Sequence, residues 1–337
     1  MTTLDRQHTI SSPVSIAGVG LHTGVKVNVR LCPAPPNTGI VFKRTDLDGF
    51  AIEANVHNVA RVAYATSLMK QGVLISTTEH LLSALAASGL DNVVVETDNL
   101  ELPILDGSAL PFLKLIQQAG LKRQRAARAY AKVLTPIEVV DGAKGIAVYP
   151  SDVPRITYSI DFAHPLIGNQ TLEFQPDKDS YEEEIAPART FGFAEEVEML
   201  RRNNLIRGGS LENAVVLTRD GIVNPEGLRF PDEFCRHKIL DVVGDLALFG
   251  HPIIGHVVAK RGGHAMHVAL LTRLLRDETS WTLVKSSELE QKRQAARVTL
   301  DKFKTSSKEA WPDVKPGIQA AMNDVETAYR RAAPQFK

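Results

Sequence analysis

The sequence contains little cysteine and carries no net charge. Its 337 residues include two cysteines, Cys32 and Cys235, which are too few for the disulfide framework of a small secreted domain. Lysine and arginine total 39, as do aspartate and glutamate, so no overall charge attracts nucleic acid. We therefore expect no nucleic-acid partner, and we expect the reducing cytoplasm as the location.

Long hydrophobic runs are also absent from the sequence. The longest strongly apolar stretch without a formal charge, residues 246–259, is interrupted by His251, Pro252 and His256. It is shorter than the roughly 20 residues that cross a bilayer. Residues 1–10 lack the basic and apolar regions of a signal peptide. We expect a monomer without a transmembrane segment, and a peripheral contact with the membrane stays open.

The residue patterns along the chain predict mixed layers of helix and strand. Alternating apolar and polar residues at 25–31 predict a strand, and residues 77–88 and 110–119 predict helices. Strands and helices follow one another without regular alternation, which favours an α+β fold over a doubly wound sheet. No internal repeat is evident in the sequence.

A basic run at residues 122–128 has no apolar period, and we interpret it as a solvated connector between two domains. Residues from Trp281 onward are charged and permissive for helix. The predicted division is an N-terminal α+β domain at 1–125, a C-terminal α+β domain at 129–275, and a charged, helical tail at 276–337.

The strongest helical pattern lies at residues 232–249. His237 and Asp241 are four residues apart on it and can bind one ion together, while Gly244 leaves room for another group to come close. Imidazole and carboxylate suit Zn²⁺, which as a catalyst takes three protein ligands and one open position. For this helix alone, a solvated His–Asp pair is the more common explanation, since the spacing is not specific. One side of the helix is apolar, and the polar side carries His237, Lys238, Asp241 and Asp245.

The segment Ser76-Thr77-Thr78-Glu79-His80 offers a third metal ligand. His80 can bind the metal while Glu79 acts as a base, because a base beside a ligand reaches the water rather than the ion. The alternative is a capping box, in which Glu79 bonds the backbone near Ser76. Both explanations stay open, but Glu79 cannot serve both at once.

His264 ends a glycine-containing segment, Arg261-Gly262-Gly263-His264. If it faces the site, it can donate a proton or stabilise an oxyanion, with Asp245 holding its positive charge. The common alternative is an exposed loop histidine, and His267 is a weaker candidate three residues later. The glycines at 18–24 do not have the spacing of a dinucleotide-binding loop.

Seven segments together resemble one family closely, the zinc-dependent UDP-3-O-acyl-N-acetylglucosamine deacetylases of lipid A synthesis. Several motifs in the family's order, between about residues 10 and 275, are more specific than any one of them. Gly262, Met266 and His267 depart from the residues usual in the family. The matching segments are GVGLHTG at 18–24, TEHL at 78–81, GLDN at 89–92, LPILDGSA at 102–109, RTFGF at 189–193, the stretch 234–245, and GHA at 263–265.

The resemblance implies a fold of two α+β domains, each a sheet layered with helices, with the active site between them. It implies Zn²⁺ as the cofactor and hydrolysis of the N-acetyl group of UDP-3-O-acyl-N-acetylglucosamine, with release of acetate, as the activity. The residues at the matching positions are His80, His237 and Asp241 for zinc, Glu79 as general base, His264 as general acid or electrostatic catalyst, Asp245 to orient His264, and Thr190 to hold the oxyanion.

The resemblance also implies contacts with the nucleotide-sugar substrate. Two alternatives to the deacetylase stay open: a non-catalytic nucleotide-sugar binding protein of the same fold, and an amide hydrolase of a different acyl-amino substrate. The implied substrate contacts are Lys238, Phe191, Lys144, Phe162 and Arg261. The apolar residues that can line a passage for the acyl chain, or form a small local core, are Val197, Leu200, Leu205, Ile206, Leu211, Ala214 and Val216.

Overall fold

Helices and strands follow one another irregularly in the computed structural model, which describes residues 6–286 apart from the side chain of Arg61. The strands are β1 (Arg6–Ile10), β2 (Val14–Val19), β3 (Lys26–Pro33), β4 (Ile40–Arg44), β5 (Phe50–Glu53), β6 (Val59–Arg61), β7 (Ser67–Lys70), β8 (Val73–Ile75), β9 (Val93–Thr97), β10 (Leu121–Ala127), β11 (Ala129–Val133), β12 (Ile137–Asp141), β13 (Lys144–Tyr149), β14 (Arg155–Phe162), β15 (Gly168–Phe174), β16 (Phe191–Phe193), β17 (Val215–Leu217), β18 (Ile253–Ile254), β19 (His256–Lys260) and β20 (Trp281–Lys285). The α-helices are α1 (Glu79–Ala87), α2 (Leu110–Ala119), α3 (Ala194–Arg202), α4 (Glu233–Leu246) and α5 (His264–Arg276). Short 3₁₀ or π turns lie at Thr45–Leu47, Val56–Asn58, Tyr181–Ile185 and Ala247–Phe249.

Two five-stranded sheets of identical topology form the framework. The first has the order β2-β3-β9-β4-β5 and the second the order β12-β13-β19-β14-β15. In each sheet one pair is parallel, β4 with β9 and β14 with β19, and the other pairs are antiparallel. One helix precedes the central strand of each sheet in the chain and another follows it. We call residues 14–119 the first half of the molecule and residues 137–276 the second half.

The α+β prediction is confirmed, and the two sheets reveal a repeat that the sequence did not disclose. Strands β3 and β14 alternate buried and exposed or half-buried residues, as a sheet with one covered face requires. The predicted helix at 110–119 matches α2, and α1 and α4 lie inside the predicted helical segments. All described residues belong to one compact unit, so the division into two domains stays a prediction.

The basic run at 122–128, interpreted as a solvated connector, is mostly a strand. Strand β10 pairs antiparallel with β1, and Lys122 lies opposite Thr9. Most of its side chains are exposed, but Gln124 donates a hydrogen bond to the carbonyl of Ala34 and accepts one from Asn92. Backbone pairing and a few polar side chains hold this solvated segment without an apolar face, and its place at a boundary between two domains stays a prediction.

Residues 281–285 also differ from the expected helical tail. They form β20, which pairs antiparallel with β11, and the Trp281 ring packs against Phe249. Cross-strand pairing here outweighs the helix-permissive composition. Residues 287–337, the remainder of the expected tail, lie outside the described residues. Among residues 6–286, no helix is long and apolar enough to cross a membrane.

Helices α1 and α4 pack directly against each other between the two halves of the sequence. A Cβ at Gly244 of α4 would overlap the carbonyl oxygen of Glu79, so only glycine permits this separation. The Ser83 hydroxyl of α1 donates a hydrogen bond to the carbonyl of Leu240 in α4. Both helices are buried over most of their length. This close crossing brings the start of α1 alongside the middle of α4.

Candidate metal centre and active site

The crossing of α1 and α4 brings His80, His237 and Asp241 together. One ligand atom from each of these buried residues lies within 4.8 Å of the other two. Asp241 Oδ1 is 3.3 Å from His237 Nε2 and 3.9 Å from His80 Nε2. The two imidazole rings meet edge to face with centroids 5.1 Å apart. The three predicted ligands, separated by up to 161 residues (from 80 to 241) in the chain, therefore share one buried point.

The donor set of this cluster fits a divalent metal. The Nδ1 atom of His237 lies 3.0 Å from the carbonyl oxygen of Ala188, so that nitrogen donates and Nε2 remains available as a ligand. The Nδ1 atom of His80 is buried and has no hydrogen-bond partner among the described residues. Burial lowers the pKa of both histidines, and that of His80 falls to about 3. Two neutral imidazoles and one carboxylate are ligands that a catalytic Zn²⁺ site uses.

Asp241 is ionised in spite of its burial. Desolvation alone would raise its pKa, but Lys238 and His237 hold the pKa of this carboxyl well below its usual range. The Lys238 ammonium donates a 2.8 Å hydrogen bond to Asp241 Oδ2. The explanation of His237 and Asp241 as a solvated surface pair is wrong, because both side chains are buried.

Glu79 does not form the capping box that its sequence neighbours allow. Its Oε2 atom accepts a hydrogen bond of 3.0 Å from the backbone N–H of Thr66, and no side chain caps the start of α1. Its Oε1 atom is 3.9 Å from His264 Nε2. Burial raises the pKa of Glu79 to about 7, and the nearby charges of Asp245 and Asp241 add to the shift. This is the range in which a carboxylate serves as a general base near neutral pH.

The backbone just before Glu79 has an unusual conformation. Thr77 is buried and has a φ of 58°, a left-handed conformation that costs a β-branched residue energy. Its hydroxyl donates a hydrogen bond of 3.1 Å to Glu101, whose carboxylate also accepts the backbone N–H groups of His22 and Thr23. A Cβ at Gly20 would collide with that carboxylate.

Glu101 therefore explains Gly20 in the glycine-rich segment at 18–24, and no sequence pattern indicates this contact. The segment binds a carboxylate of the protein itself, and Leu21 beside it lines the cavity described below. Backbone N–H groups in a glycine-containing turn are a common anion-binding arrangement.

Asp245, on the same helix as the two ligands, is fully buried and binds three donors. Its Oδ2 atom lies 2.7 Å from Nδ1 of His264 and 2.7 Å from Nδ1 of His267. Its Oδ1 atom accepts a 2.6 Å hydrogen bond from the Thr66 hydroxyl. Burial alone would lower the pKa of His264, but Asp245 and then Asp241 raise it to about 10. His264 is thus held as a cation, and it is the first residue of α5 rather than an exposed loop histidine.

A cavity of about 380 Å³ opens over this cluster. Neither Asp245, Phe162 nor Arg261 is among the described residues that line it. Phe162 packs edge to face on Phe191, and Arg261 forms a 3.3 Å ion pair with Asp161. The predicted site residues that do line it are Glu79, His80, Lys144, Thr190, Phe191, His237, Lys238, Asp241 and His264.

The chain resembles known proteins over most of its length. Residues 7–276 match the sequence model of the UDP-3-O-acyl N-acetylglycosamine deacetylase family, LpxC. A protein of Solibacter usitatus named UDP-3-O-acyl-N-acetylglucosamine deacetylase is 52% identical over 86% of this chain and 97% of its own. Proteins of the same name from Syntrophotalea carbinolica and Myxococcus xanthus are 45% and 47% identical, over 84% and 82% of this chain and 92% and 89% of their own.

The chain belongs to the LpxC family. In this LpxC chain a buried ion pair, which the sequence did not reveal, fixes the segment that carries Thr190. Arg189 is only 2% exposed, and its guanidinium bonds the fully buried Glu233 at the start of α4 at 2.9 Å. The same segment presents the Ala188 carbonyl to His237. A buried arginine paired with a glutamate 44 residues away could be found only from coordinates.

The apolar segment after Phe191 remains only partly covered in the LpxC chain. Helix α3 has no buried residue, and Leu211 is 38% exposed. The seven apolar residues named above are all exposed or half-buried, which argues against a small local core made from them. Apolar surface is thus left uncovered next to the cavity-lining Phe191.

Proposed function

We propose that this protein removes the N-acetyl group of UDP-3-O-acyl-N-acetylglucosamine, the deacetylation step of lipid A biosynthesis. The observation that carries the proposal is a carboxylate, Glu79, with a pKa raised to about 7 beside the cluster of His80, His237 and Asp241. Membership of the LpxC family and the names of the relatives support the substrate. The reaction adds water across the amide, breaks the carbon–nitrogen bond, and yields acetate and the free amine.

His80, His237 and Asp241 are the residues that would hold a zinc ion. When bound there, the ion supplies positive charge that activates water and polarises the acetamide carbonyl. The protein's contribution is to keep both imidazoles neutral, keep Asp241 ionised and exclude bulk water from the ligand atoms. The hydrogen bond from His237 Nδ1 to Ala188 orients that ring.

Glu79 and His264 divide the proton transfers in this proposal. Glu79 takes a proton from the attacking water, and the backbone N–H of Thr66 holds its carboxylate in place. His264, charged through Asp245, stabilises the oxyanion and donates a proton to the leaving amine. Thr190, which lines the cavity, offers its hydroxyl to the same oxyanion.

Groups around the cavity suit a nucleotide-sugar with an acyl chain. Lys144 and Lys238 place positive charge on its wall, where diphosphate would bind. The Lys238 ammonium also lies 5.9 Å from the centre of the Phe191 ring. The uncovered apolar residues after Phe191 would bind the acyl chain, at about 0.8 kcal/mol for each buried CH₂ group. Phe162, through its contact with Phe191, and Arg261 remain proposed substrate contacts. We also propose that the protein is a monomer and that it acts in the cytoplasm.

An assay of acetate release from UDP-3-O-acyl-N-acetylglucosamine tests the proposal. We expect turnover by the purified protein, loss of turnover after treatment with a chelator, and recovery on addition of Zn²⁺. Full activity of metal-stripped protein with chelator present would contradict the metal-dependent scheme. Binding of the substrate without acetate release would instead indicate a non-catalytic binding protein.

The remaining alternative is an amide hydrolase of a different acyl-amino substrate. If that alternative holds, a UDP-linked sugar does not compete with the substrate that is turned over. We expect competition, because Lys144 and Lys238 lie on the wall of the same cavity as Glu79. A competition assay with a UDP-sugar therefore separates the two activities.

A further inference from the structure

His267 shares the carboxylate of Asp245 with His264. The Nδ1 atoms of the two histidines lie at the same distance, 2.7 Å, from the same oxygen, Oδ2. The residues are three apart in the first turn of α5, so their side chains emerge on one face of the helix. His267 is fully buried, and its ring lies 6.0 Å from that of His264, centroid to centroid.

The chemistry of the groups fixes the direction of these hydrogen bonds. An ionised carboxylate only accepts, so Nδ1 of His267 carries a proton and donates it to Asp245. The other nitrogen, Nε2, lies 3.2 Å from the hydroxyl of Tyr158. Burial lowers the pKa of His267, which favours the neutral ring, and Nε2 then accepts from the phenol. Tyr158, His267, Asp245 and His264 thus form one continuous chain of hydrogen bonds.

Three of the four residues in this chain of hydrogen bonds are fully buried, and they lie on three different elements. Tyr158 on β14, Asp245 on α4 and His267 on α5 each have no exposed surface. Hydrogen bonds to a charged group in such surroundings are strong, and an unsatisfied partner is costly. With Thr66 on Oδ1, the carboxylate of Asp245 is bound from both sides and cannot rotate freely.

We propose that His267 is a positioning residue, which fixes the Asp245 carboxylate so that Asp245 presents Nε2 of His264 to the cavity. It does not line the cavity and acts only through Asp245. This inference rests on the proposed function, because it assigns His267 a part in the same reaction. It predicts that the donor at Nδ1, and not the bulk of the ring, is what matters.

A pair of variants of similar shape, both branched at Cγ, tests the proposal, with kcat and KM measured for the acylated UDP-sugar. His267→Leu fills the space without a donor, and we expect kcat to fall about tenfold with KM nearly unchanged. His267→Asn retains an N–H near the position of Nδ1, and we expect most of kcat to return. His256→Asn is the matched control, since His256 on β19 bonds Thr157 away from the cavity and should leave kcat unchanged.

Each result decides the matter. Equal loss in the leucine and asparagine variants would assign His267 to packing alone, and full kcat in the leucine variant would remove it from the reaction. Both results overturn the proposal. If the wild-type protein releases no acetate, the proposed function fails, and a measurement independent of activity still tests the hydrogen bonds of His267.

That measurement is nitrogen NMR of the folded protein labelled with ¹⁵N-histidine, with the His267 signals assigned by their loss in His267→Asn. We expect a protonated Nδ1 and an unprotonated Nε2 for His267, the less common tautomer of a free neutral ring. An unprotonated Nδ1 would overturn the proposal, because Asp245 could then not accept a hydrogen bond from that nitrogen. This result does not depend on the folding of the leucine variant.

Discussion

The two halves of the molecule have the same sheet topology but contribute different groups to the site. Helices α1 and α4 are equivalent in the two halves, since each precedes the central strand of its sheet. Helix α1 supplies Glu79 and His80 from its first turn, while α4 supplies His237 and Asp241 from its middle. Neither half contains the complete set of groups. The repeated framework therefore produces a site only where the two equivalent helices cross.

The helices that follow the central strands differ even more. Helix α5 in the second half begins with His264, but its equivalent in the first half, α2, begins with Leu110 and is apolar at its start. In the proposed reaction the first half thus supplies the base and one metal ligand, and the second half supplies two metal ligands and the cationic His264. This asymmetry can be tested by changing matched residues in the two halves.

The largest effects are expected from a matched pair of ligand variants, His80→Ala and His237→Ala. If both halves bind one ion, each variant lowers the metal content from roughly one per chain and abolishes turnover. Metal analysis of the purified variants is the measurement, with melting temperature as the check on folding. Full metal content in either variant would contradict the proposal that both halves supply ligands to one ion.

Glu79→Gln should remove turnover and leave the metal in place. The amide cannot take a proton from water, and we expect kcat to fall by about 10²–10⁴-fold. Metal content should stay at the wild-type level, because Glu79 is proposed as the general base and not as a metal ligand. Retained activity in this variant would show that the first half supplies no base.

The pH dependence of kcat/KM should report one group from each half. Activity rises with pH as Glu79 loses its proton, at or below about pH 7, since a bound cation lowers the pKa of this carboxyl further. Activity falls at or below about pH 10 as His264 loses its proton, since the same bound cation lowers the pKa of this imidazolium as well.

The variant Asp245→Asn tests the alkaline side of this profile. Removal of the negative charge lowers the pKa of His264, so the alkaline limb should move to lower pH by about one unit or more. The acid limb should also move to lower pH, but less, because burial is the main cause of the raised pKa of Glu79 and the charge of Asp245 only adds to it. An alkaline limb that does not move would separate His264 from Asp245.

Gly244→Ala should give the smallest effect of the series, a loss of stability where α1 and α4 cross. The new methyl group would meet the backbone of Glu79, and we expect a loss of about 1–3 kcal/mol in the free energy of unfolding. Gly145→Ala on β13 is the control, because its nearest neighbours lie at 3.7 Å and leave room for a methyl group. Denaturant unfolding of both variants is the measurement, and equal stabilities would mean that the helices can move apart without cost.

Local patterns in the sequence predicted α1, α2, α4 and the α+β class, since these depend on neighbours within a few residues, but they did not predict α5. Gly244 was correctly seen as a point of close approach, and the structure shows that the approaching group is Glu79. The meeting of His80 with His237 and Asp241 required the resemblance to a family, because spacing along one helix cannot specify a partner 157 residues away (237 minus 80).

Other features could not be predicted because they depend on long-range pairing. The strand at 121–127 has no apolar alternation and is defined by its hydrogen bonds to β1. The role of Glu101 and the buried pair of Arg189 and Glu233 arise from backbone groups and charges that meet only after folding. The topological repeat is visible only in strand order, which the sequence does not display.

The left-handed conformation of Thr77 affects how the start of α1, which carries Glu79, is held in place. Such a conformation costs on the order of 1–3 kcal/mol and persists only while its surroundings enforce it. Glu101, through its hold on both Thr77 and the glycine-rich turn, provides that enforcement. A chain without the Glu101 carboxylate could keep a nearly normal melting temperature and still be inactive, since the backbone that positions Glu79 would relax first.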